Sequence, residues 1–234
     1  MNGSTMNDFD NLPDWVRATV VDAAEEPCAR SEFQPCGSAA RTAELARTTK
    51  ETDIKLALNL DGTGQASIET GVPFFDHMLE AFTRHGLFDL DVQATGDIEV
   101  DAHHTVEDVG IVLGQAFAQA LADKRGIVRF GNSFLAMDEA LVLAAVDISG
   151  RGQLHYAVGL PIEMVGTFDT TLAKEFFIAL ATNAGLTLHL RSFSGENSHH
   201  ILEAAFKAAG RALCDATRIN PRIAEELPTT KGAL

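Results

Sequence analysis

The sequence predicts an internally duplicated α+β fold in which two mixed β-sheets pack around four helices. Two patterns support this prediction: apolar residues alternate in some segments, and they recur at helical spacing in others. The third observation is that the order of these segments repeats along the chain. Because a half-buried strand and an amphipathic helix each need one covered face, layers of sheet and helix satisfy both.

Local patterns define the elements of the first half. Apolar residues alternate from Ile54 to Leu60, and Asp61-Gly62-Thr63-Gly64 supplies a turn, which predicts a β-hairpin. The next helix is expected to open at Pro73, since proline suits the first helical position. The predicted order is a hairpin over residues 54–69, a helix over 73–84, a strand over 88–92 and a helix over 104–123.

The second half repeats this order. A shift of 98 residues carries the alternating residues 88–92 onto 186–190, and a shift of 96 carries His103-His104-x-x-Glu107 onto His199-His200-x-x-Glu203. The expected elements are strands over residues 141–147 and 153–158, a helix over 170–183, a strand over 186–190 and a helix over 198–217. The chain therefore reads as one duplicated domain, residues 41–234, with halves of about 41–130 and 131–234.

Composition narrows the classes of partner. The chain has 234 residues and a net charge of −15, so its surface field repels nucleic acid and anionic membranes. The three cysteines are too few and too scattered for a disulfide framework, and no apolar run approaches a membrane span, so we expect a cytoplasmic protein. Residues 1–40 hold seven acidic and two basic residues without sustained periodicity, which predicts a mostly disordered leader.

The paired His-His-x-x-Glu motifs predict metal binding. Residues four apart lie on one face of a helix, so His103 with Glu107, and His199 with Glu203, can each chelate an ion. The adjacent His104 and His200 point about 100° away and suit a second ion or a neighbouring subunit. Imidazole and carboxylate ligands without thiolate favour Mn, Fe or Zn.

His77 and Glu175 are further candidate ligands outside these motifs. The shift of 98 residues brings His77 onto Glu175, so two side chains able to bind metal stand at equivalent helix positions. This equivalence suggests a site with pseudo-twofold symmetry. By contrast, His155 and His189 stand alone on predicted strands, and we do not expect them to be ligands.

Several long and chemically unusual motifs follow Arg41. They are Lys50-Glu51-Thr52-Asp53-Ile54, Asp61-Gly62-Thr63-Gly64, Phe75-Asp76-His77-Met78-Leu79, Asp101-Ala102-His103-His104-Thr105-Val106-Glu107-Asp108-Val109-Gly110, Met137-Asp138-Glu139-Ala140, Ser149-Gly150-Arg151, Ser198-His199-His200-Ile201-Leu202-Glu203-Ala204 and Thr230-Lys231-Gly232. On these motifs, residues 41–234 resemble the imidazoleglycerol-phosphate dehydratase family. The resemblance implies a lyase that dehydrates D-erythro-imidazole-glycerol phosphate to imidazole-acetol phosphate in histidine biosynthesis.

The resemblance also implies a cofactor, a substrate site and an assembly. Two Mn²⁺ ions per active site would be bound by His77, His103, His104, Glu107, Glu175, His199, His200 and Glu203. Some members of the family carry His where this chain has Glu175. Substrate contacts would come from Glu51, His85, Arg129, Arg151, Thr229 and Lys231, with Arg129, Arg151 and Lys231 at the phosphate. Trimers would assemble into a cage of twenty-four subunits with active sites at the subunit interfaces.

The expected reaction needs a group that moves protons. Removing water requires abstraction of a weakly acidic C–H proton and loss of a hydroxyl. We expect Glu51 to transfer the proton, because the other motif carboxylates are expected at the metals, and Glu203 is the second expected catalytic residue. Two other functions stay open: a dinuclear phosphohydrolase, and a shell that stores metal without catalysis.

Overall fold

The structure is a computed structural model that describes residues 41–232. The predicted disordered leader, residues 1–40, lies outside the described residues. No helix within residues 41–232 is both long enough and apolar enough to cross a membrane.

The first half forms one four-stranded sheet and two helices. The strands stand in the order β1-β2-β4-β3, in which β3 and β4 are parallel and the other neighbours antiparallel. Their bounds are β1 Thr42–Thr48, β2 Thr52–Asn59, β3 Ala66–Glu69 and β4 Asp89–Gly96, and the helices are α1 Pro73–Gly86 and α2 His103–Leu121.

The second half repeats the arrangement and adds a small hairpin. Its sheet has the order β5-β6-β10-β7, again with one parallel pair, β7 and β10. The elements are β5 Phe130–Met137, β6 Ala140–Asp147, β7 Gln153–Ala157, β8 Met164–Val165, β9 Phe168–Asp169, α3 Leu172–Ala184, β10 Thr187–Ser194, α4 Ser198–Thr217 and a 3₁₀ turn Pro221–Ile223. The β8–β9 hairpin has no counterpart in the first half.

The strand registers establish the duplication in detail. Thr42 pairs with Asn59 in the first sheet, and Phe130 pairs with Asp147 in the second, so a shift of 88 residues carries β1 and β2 onto β5 and β6. The tight turns between these strands therefore correspond, and Glu51 in one turn is equivalent to Glu139 in the other.

A shared hydrophobic core lies between the two sheets. Helix α2 packs on β1 and β2 and against α3, while α4 packs on β5 and β6 and against α1. The packing of α4 on β5 is close at Gly131, where a Cβ atom would overlap the backbone oxygen of Ala212. The predicted fold class, two mixed sheets around four helices, is confirmed.

One predicted element is wrong. The alternating residues 54–60 and the segment 65–69 do not form a hairpin with each other, because β3 pairs in parallel with β4 and β2 pairs with the unpredicted β1. The turn residues allow the chain to reverse, but the partner of a strand depends on its whole apolar face.

Candidate active site

Three side chains from α1 and α4 form a compact group of potential ligands. Nε2 of His77 lies 3.3 Å from Oε2 of Glu203, and Nε2 of His199 lies 3.2 Å from the same oxygen. All three ligand atoms lie within 4.8 Å of one another, and no other group of three metal-binding side chains meets this test within residues 41–232. The two imidazoles are accessible, whereas the Glu203 side chain is 9% exposed. An ion could therefore reach the nitrogens above a buried carboxylate.

Lys207 holds the Glu203 carboxylate from its other oxygen. Its Nζ lies 2.7 Å from Oε1 of Glu203, one helical turn along α4. Burial acts to raise the pKa of Glu203, but the hydrogen bond and charge of Lys207, together with His77, outweigh burial and keep that pKa below its ordinary value. The carboxylate is therefore kept ionised, which is the form that binds metal.

The equivalent positions of the first half form a looser group. Nε2 of His103 lies 3.7 Å from Oε2 of Glu107, four residues on along α2. Glu175 lies half-buried in the first turn of α3 and does not join a three-ligand cluster among the described residues. Its assignment as a ligand stays a prediction.

Local capping sets the start of each histidine helix. Asn197 Oδ1 accepts a hydrogen bond from the backbone N–H of His199 at 2.9 Å, and Asp101 Oδ1 accepts one from His103 at 2.7 Å. These acceptors satisfy backbone donors that have no partner within a helix. His103 is the first residue of α2 and His199 the second residue of α4, so both His-His pairs lie in the first turn of their helices.

The second histidine of each pair binds a carboxylate through Nδ1. Nδ1 of His104 lies 3.1 Å from both oxygens of Asp97, and Nδ1 of His200 lies 2.8 Å from Oε2 of Glu139. Each hydrogen bond raises the pKa of its histidine, and the bond from His200 helps to lower the pKa of Glu139 to about 2. A carboxylate at Nδ1 fixes the imidazole ring and leaves Nε2 as the nitrogen that can bind metal, as in many metal sites. Nε2 of His200 lies 3.8 Å from Oδ2 of Asp138.

Glu51 occupies the turn between β1 and β2 beside α2. Its side chain is exposed and its carboxylate makes no hydrogen bond to any residue within 41–232. Its charge contributes to the raised pKa of His104. A free carboxylate next to a histidine motif is available to take up a proton.

The residues expected at the phosphate lie at the far end of the second sheet. Arg129 Nε lies 2.8 Å from Oδ1 of Asp147, and its Nη1 donates to the backbone oxygen of Pro228 at 2.8 Å. Arg151 lies in the turn just after β6, and the backbone N–H of Lys231 donates to Thr229 Oγ1. Strand β6 separates these residues from Glu139 and His200 by about 23 Å, at roughly 3.3 Å per residue.

His85 lies at the end of α1, within electrostatic reach of Glu203 and Lys207. Its side chain is close to the cationic Lys207 and Arg211, and burial, followed by these cations, lowers its pKa. Its expected role as a substrate contact stays a prediction.

Comparison with known proteins places the chain in a family. A model of the imidazoleglycerol-phosphate dehydratase family matches residues 70–213. A relative of that name from Acetivibrio thermocellus is 59% identical over 194 residues, which cover 83% of this chain and 99% of the relative. The chain belongs to the imidazoleglycerol-phosphate dehydratase family. A second relative, from Synechococcus, is 56% identical over 194 residues, 83% of this chain and 96% of the relative.

Two solved imidazoleglycerol-phosphate dehydratases share the fold. The Staphylococcus aureus structure has a TM-score of 0.70 at 41% identity and covers 76% of this chain and 99% of its own. The Pyrococcus furiosus structure has a TM-score of 0.71 at 40% identity, with 81% and 100% covered. The predicted family and the predicted hydro-lyase activity in histidine biosynthesis are therefore confirmed.

Four features of this dehydratase were missed from the sequence. Lys207 could have been found from its spacing of four residues after Glu203. Asp97 and Glu139 reach their histidines from loops, which no spacing rule predicts. His155 and His189 do not stand alone: they pair directly across β7 and β10, and their rings stack at 4.2 Å between centroids.

Proposed function

We propose that the chain dehydrates D-erythro-imidazole-glycerol phosphate to imidazole-acetol phosphate at a di-manganese site shared between subunits. The observation that carries the proposal is the group formed by His77, His199 and Glu203, whose three ligand atoms lie within 4.8 Å of one another. Two nitrogens above an ionised carboxylate suit a divalent transition ion.

The remaining ligands are assigned from the motifs. His103 and Glu107 lie close enough to contribute to the second ion, and Glu175 is proposed to join them. The rings of His104 and His200 are held through Nδ1, and their Nε2 atoms are proposed to bind an ion of another subunit. With both ions present, the substrate imidazole would ionise more readily and could push electrons towards the departing hydroxyl.

Proton transfer is assigned to Glu51. Its free carboxylate would take the proton from the second carbon from the substrate ring, and the hydroxyl on the carbon attached to the ring leaves with a proton as water. The enol that results becomes the ketone of the product. Both oxygens of Glu203 are engaged by neighbouring side chains, so in this proposal it acts first as a ligand and second as a proton-transfer group.

Arg129, Arg151, Thr229 and Lys231 are proposed to bind the phosphate and fix the orientation of the substrate. Within one chain they lie at the opposite end of β6 from Glu139 and His200. A short phosphorylated polyol cannot span about 23 Å, so the two groups would serve one substrate only across a subunit interface. This supports the proposed trimer-based shell of twenty-four subunits, which we place in the cytoplasm with the rest of histidine biosynthesis.

The test is to identify the products. Purified protein is stripped of metal, checked by elemental analysis, supplied with Mn²⁺ and given imidazole-glycerol phosphate. We expect activity to vanish on chelation, to return with about two ions per subunit, and to yield a ketone that keeps its phosphate. Release of inorganic phosphate would instead identify a phosphohydrolase, and metal uptake without turnover would identify a storage shell.

A further inference from the structure

A chain of hydrogen bonds links Glu51 to the first turns of α2. Asp108 is 8% exposed, and its Oδ2 accepts a hydrogen bond from Thr52 Oγ1 at 2.5 Å. Thr52 Oγ1 lies 3.1 Å from Thr49 Oγ1, which accepts from the backbone N–H of Glu51 at 3.1 Å. Because the Thr52 hydroxyl donates to the carboxylate, the Thr49 hydroxyl must donate to Thr52. Each hydrogen bond from Glu51 through Thr49 and Thr52 is therefore donated in the direction of Asp108.

Two further contacts complete the connection. Nε and Nη2 of Arg47 each lie 3.2 Å from Oδ1 of Asp108, which ties β1 to the same carboxylate. On the other side, the backbone oxygen of Glu51 accepts from the N–H of Asp97 at 3.1 Å, and Asp97 binds His104. The backbone of Glu51 is thus held from both sides by groups that also hold the histidine helix.

The second half lacks this polar group. Shifts of 88 residues for the strands and 96 for the helix carry Arg47, Thr52 and Asp108 onto Leu135, Ala140 and Ala204. These three residues belong to, or pack against, a small apolar cluster at the corresponding place. The fold therefore forms at this position without the Arg47–Asp108 ion pair, in which Asp108 is buried and Arg47 is partly exposed, and an apolar replacement of a buried pair is often neutral for stability.

The turns above the two clusters also differ. Glu139, equivalent to Glu51, is bound by His200 and by the backbone N–H groups of Glu196 and Asn197. Its own carboxylate contacts fix its turn. The Glu51 carboxylate makes no such contact with the described residues 41–232, so its turn is held only by the hydrogen bonds of Thr49 and Asp97 to its backbone.

We propose that Asp108, with Arg47 and Thr52, is a positioning group that sets Glu51 relative to the histidines of α2. This inference rests on the proposed role of Glu51 in proton transfer. The two halves of the duplicated fold have diverged in this respect: one glutamate orients a histidine, and the other is held ready to act on substrate.

The test copies the second half into the first. The triple variant Arg47→Leu, Thr52→Ala, Asp108→Ala replaces the polar group with the residues found at the equivalent positions. We expect it to fold, to assemble and to bind the same amount of Mn²⁺ as the parent. Its kcat should fall by about 10- to 100-fold, because the Glu51 carboxylate is displaced from the reacting carbon. Its KM should change little, because the phosphate-binding residues and the metal ligands are unchanged.

A double-mutant cycle separates positioning from a structural role. In a Glu51→Gln background the triple change should cost almost nothing more, since the group that it positions is already gone. A full additional loss in that background, or unchanged kcat in the triple variant alone, would overturn the inference. If the triple variant does not fold, Asp108→Asn is carried through the same cycle and judged by the same criteria.

Glu51→Gln on its own tests the underlying assignment. If that variant keeps parental kcat, the role proposed for Glu51 fails, whatever the triple variant does. If Glu51→Gln loses activity and the triple variant does not, only the positioning inference fails.

Discussion

Glu203 and Lys207 form an ion pair one turn apart on α4, with Nζ 2.7 Å from Oε1. The pair lies directly behind the oxygen that faces His77 and His199. The lysine thus offsets the cost of burying a carboxylate at a place where that carboxylate must stay ionised to bind an ion.

Replacing this lysine should make metal retention more sensitive to acid. Lys207→Met removes the hydrogen bond and the charge that lower the pKa of Glu203, while burial, which raises that pKa, remains. The pKa of Glu203 therefore rises, and protons compete better with the ion for the carboxylate. At pH 5.5 we expect Mn²⁺ occupancy to be about threefold lower in the variant than in the parent. At pH 8 the two proteins should differ little. Elemental analysis after dialysis at each pH measures this. Lys55→Met, at an exposed lysine outside the described ion pairs, is the matched control, and parallel curves for both variants would contradict the prediction.

The carboxylates behind the outward histidines should control affinity for metal. Glu139→Gln and Asp97→Asn each leave a histidine without its ionised partner, and such partners typically contribute about 10- to 100-fold to affinity. We expect comparable losses of Mn²⁺ affinity in both variants, since His104 and His200 are equivalent in the duplicated fold and each is held through Nδ1 by a carboxylate. Titration of the metal-free proteins measures it. Glu196→Gln, whose backbone but not side chain contacts Glu139, should bind as the parent does.

The Glu139–His200 pair should also shape acid stability of the metal-free protein. The pKa of Glu139 is about 2 in the folded chain and 4.5 ordinarily, so its contribution is complete above pH 4.5 and is lost as pH falls towards 2. The difference in Tm between the parent and Glu139→Gln should therefore narrow steadily below pH 4.5. A difference that stays constant down to pH 2.5 would contradict the assignment.

The stacked pair His155 and His189 should weaken folding in mild acid. Burial, followed by the charge of His155, lowers the pKa of His189. A histidine with a lowered pKa binds fewer protons folded than unfolded, so stability declines as pH falls below 6.5 and is unaffected above it. In His155→Phe the pKa of His189 should rise but stay below 6.5, because burial remains the larger cause. Proton NMR of the imidazole resonances measures both values, and an unchanged pKa would contradict it.

Close packing of α4 on β5 predicts a costly glycine substitution. A Cβ at Gly131 would overlap the backbone oxygen of Ala212, so Gly131→Ala must push the helix away from the strand. We expect a loss of about 2 to 3 kcal/mol in the free energy of unfolding. Gly159→Ala is the control, since its Cβ would meet only Ser192 Oγ at 3.9 Å. Equal denaturation midpoints for the two variants would rule out the steric argument.

The sequence was most informative where structure depends on near neighbours. Helix α4 begins and ends where its periodicity predicts, at Ser198 and Thr217, and the His-His-x-x-Glu spacing brings His199 to Glu203 as expected. Strand β1 escaped notice because it lies at the edge of its sheet and buries only Ala43 fully. Nothing local indicates that it pairs with β2.

Contacts between distant segments could not be predicted from the sequence. The pairing of His155 with His189 depends on β7 lying parallel to β10, which only the completed sheet determines. Asp97 and Glu139 reach their histidines from loops whose positions depend on the same assembly. The internal duplication is the one long-range signal in the sequence, and it predicts that His77 and Glu175 occupy equivalent helix positions.

The length of β6 has a genetic consequence. Suppose that the metal ligands and the phosphate-binding cations of one chain belong to different active sites. In a shell of two mutant chains, one defective in each group, some active sites then combine intact metal ligands from one chain with intact cations from the other. A cell with one allele lacking His77 and another lacking Lys231 would then assemble some sites from the intact part of each chain. Two such alleles, each unable to support growth without histidine, should complement one another, whereas two alleles that both lack Lys231 should not.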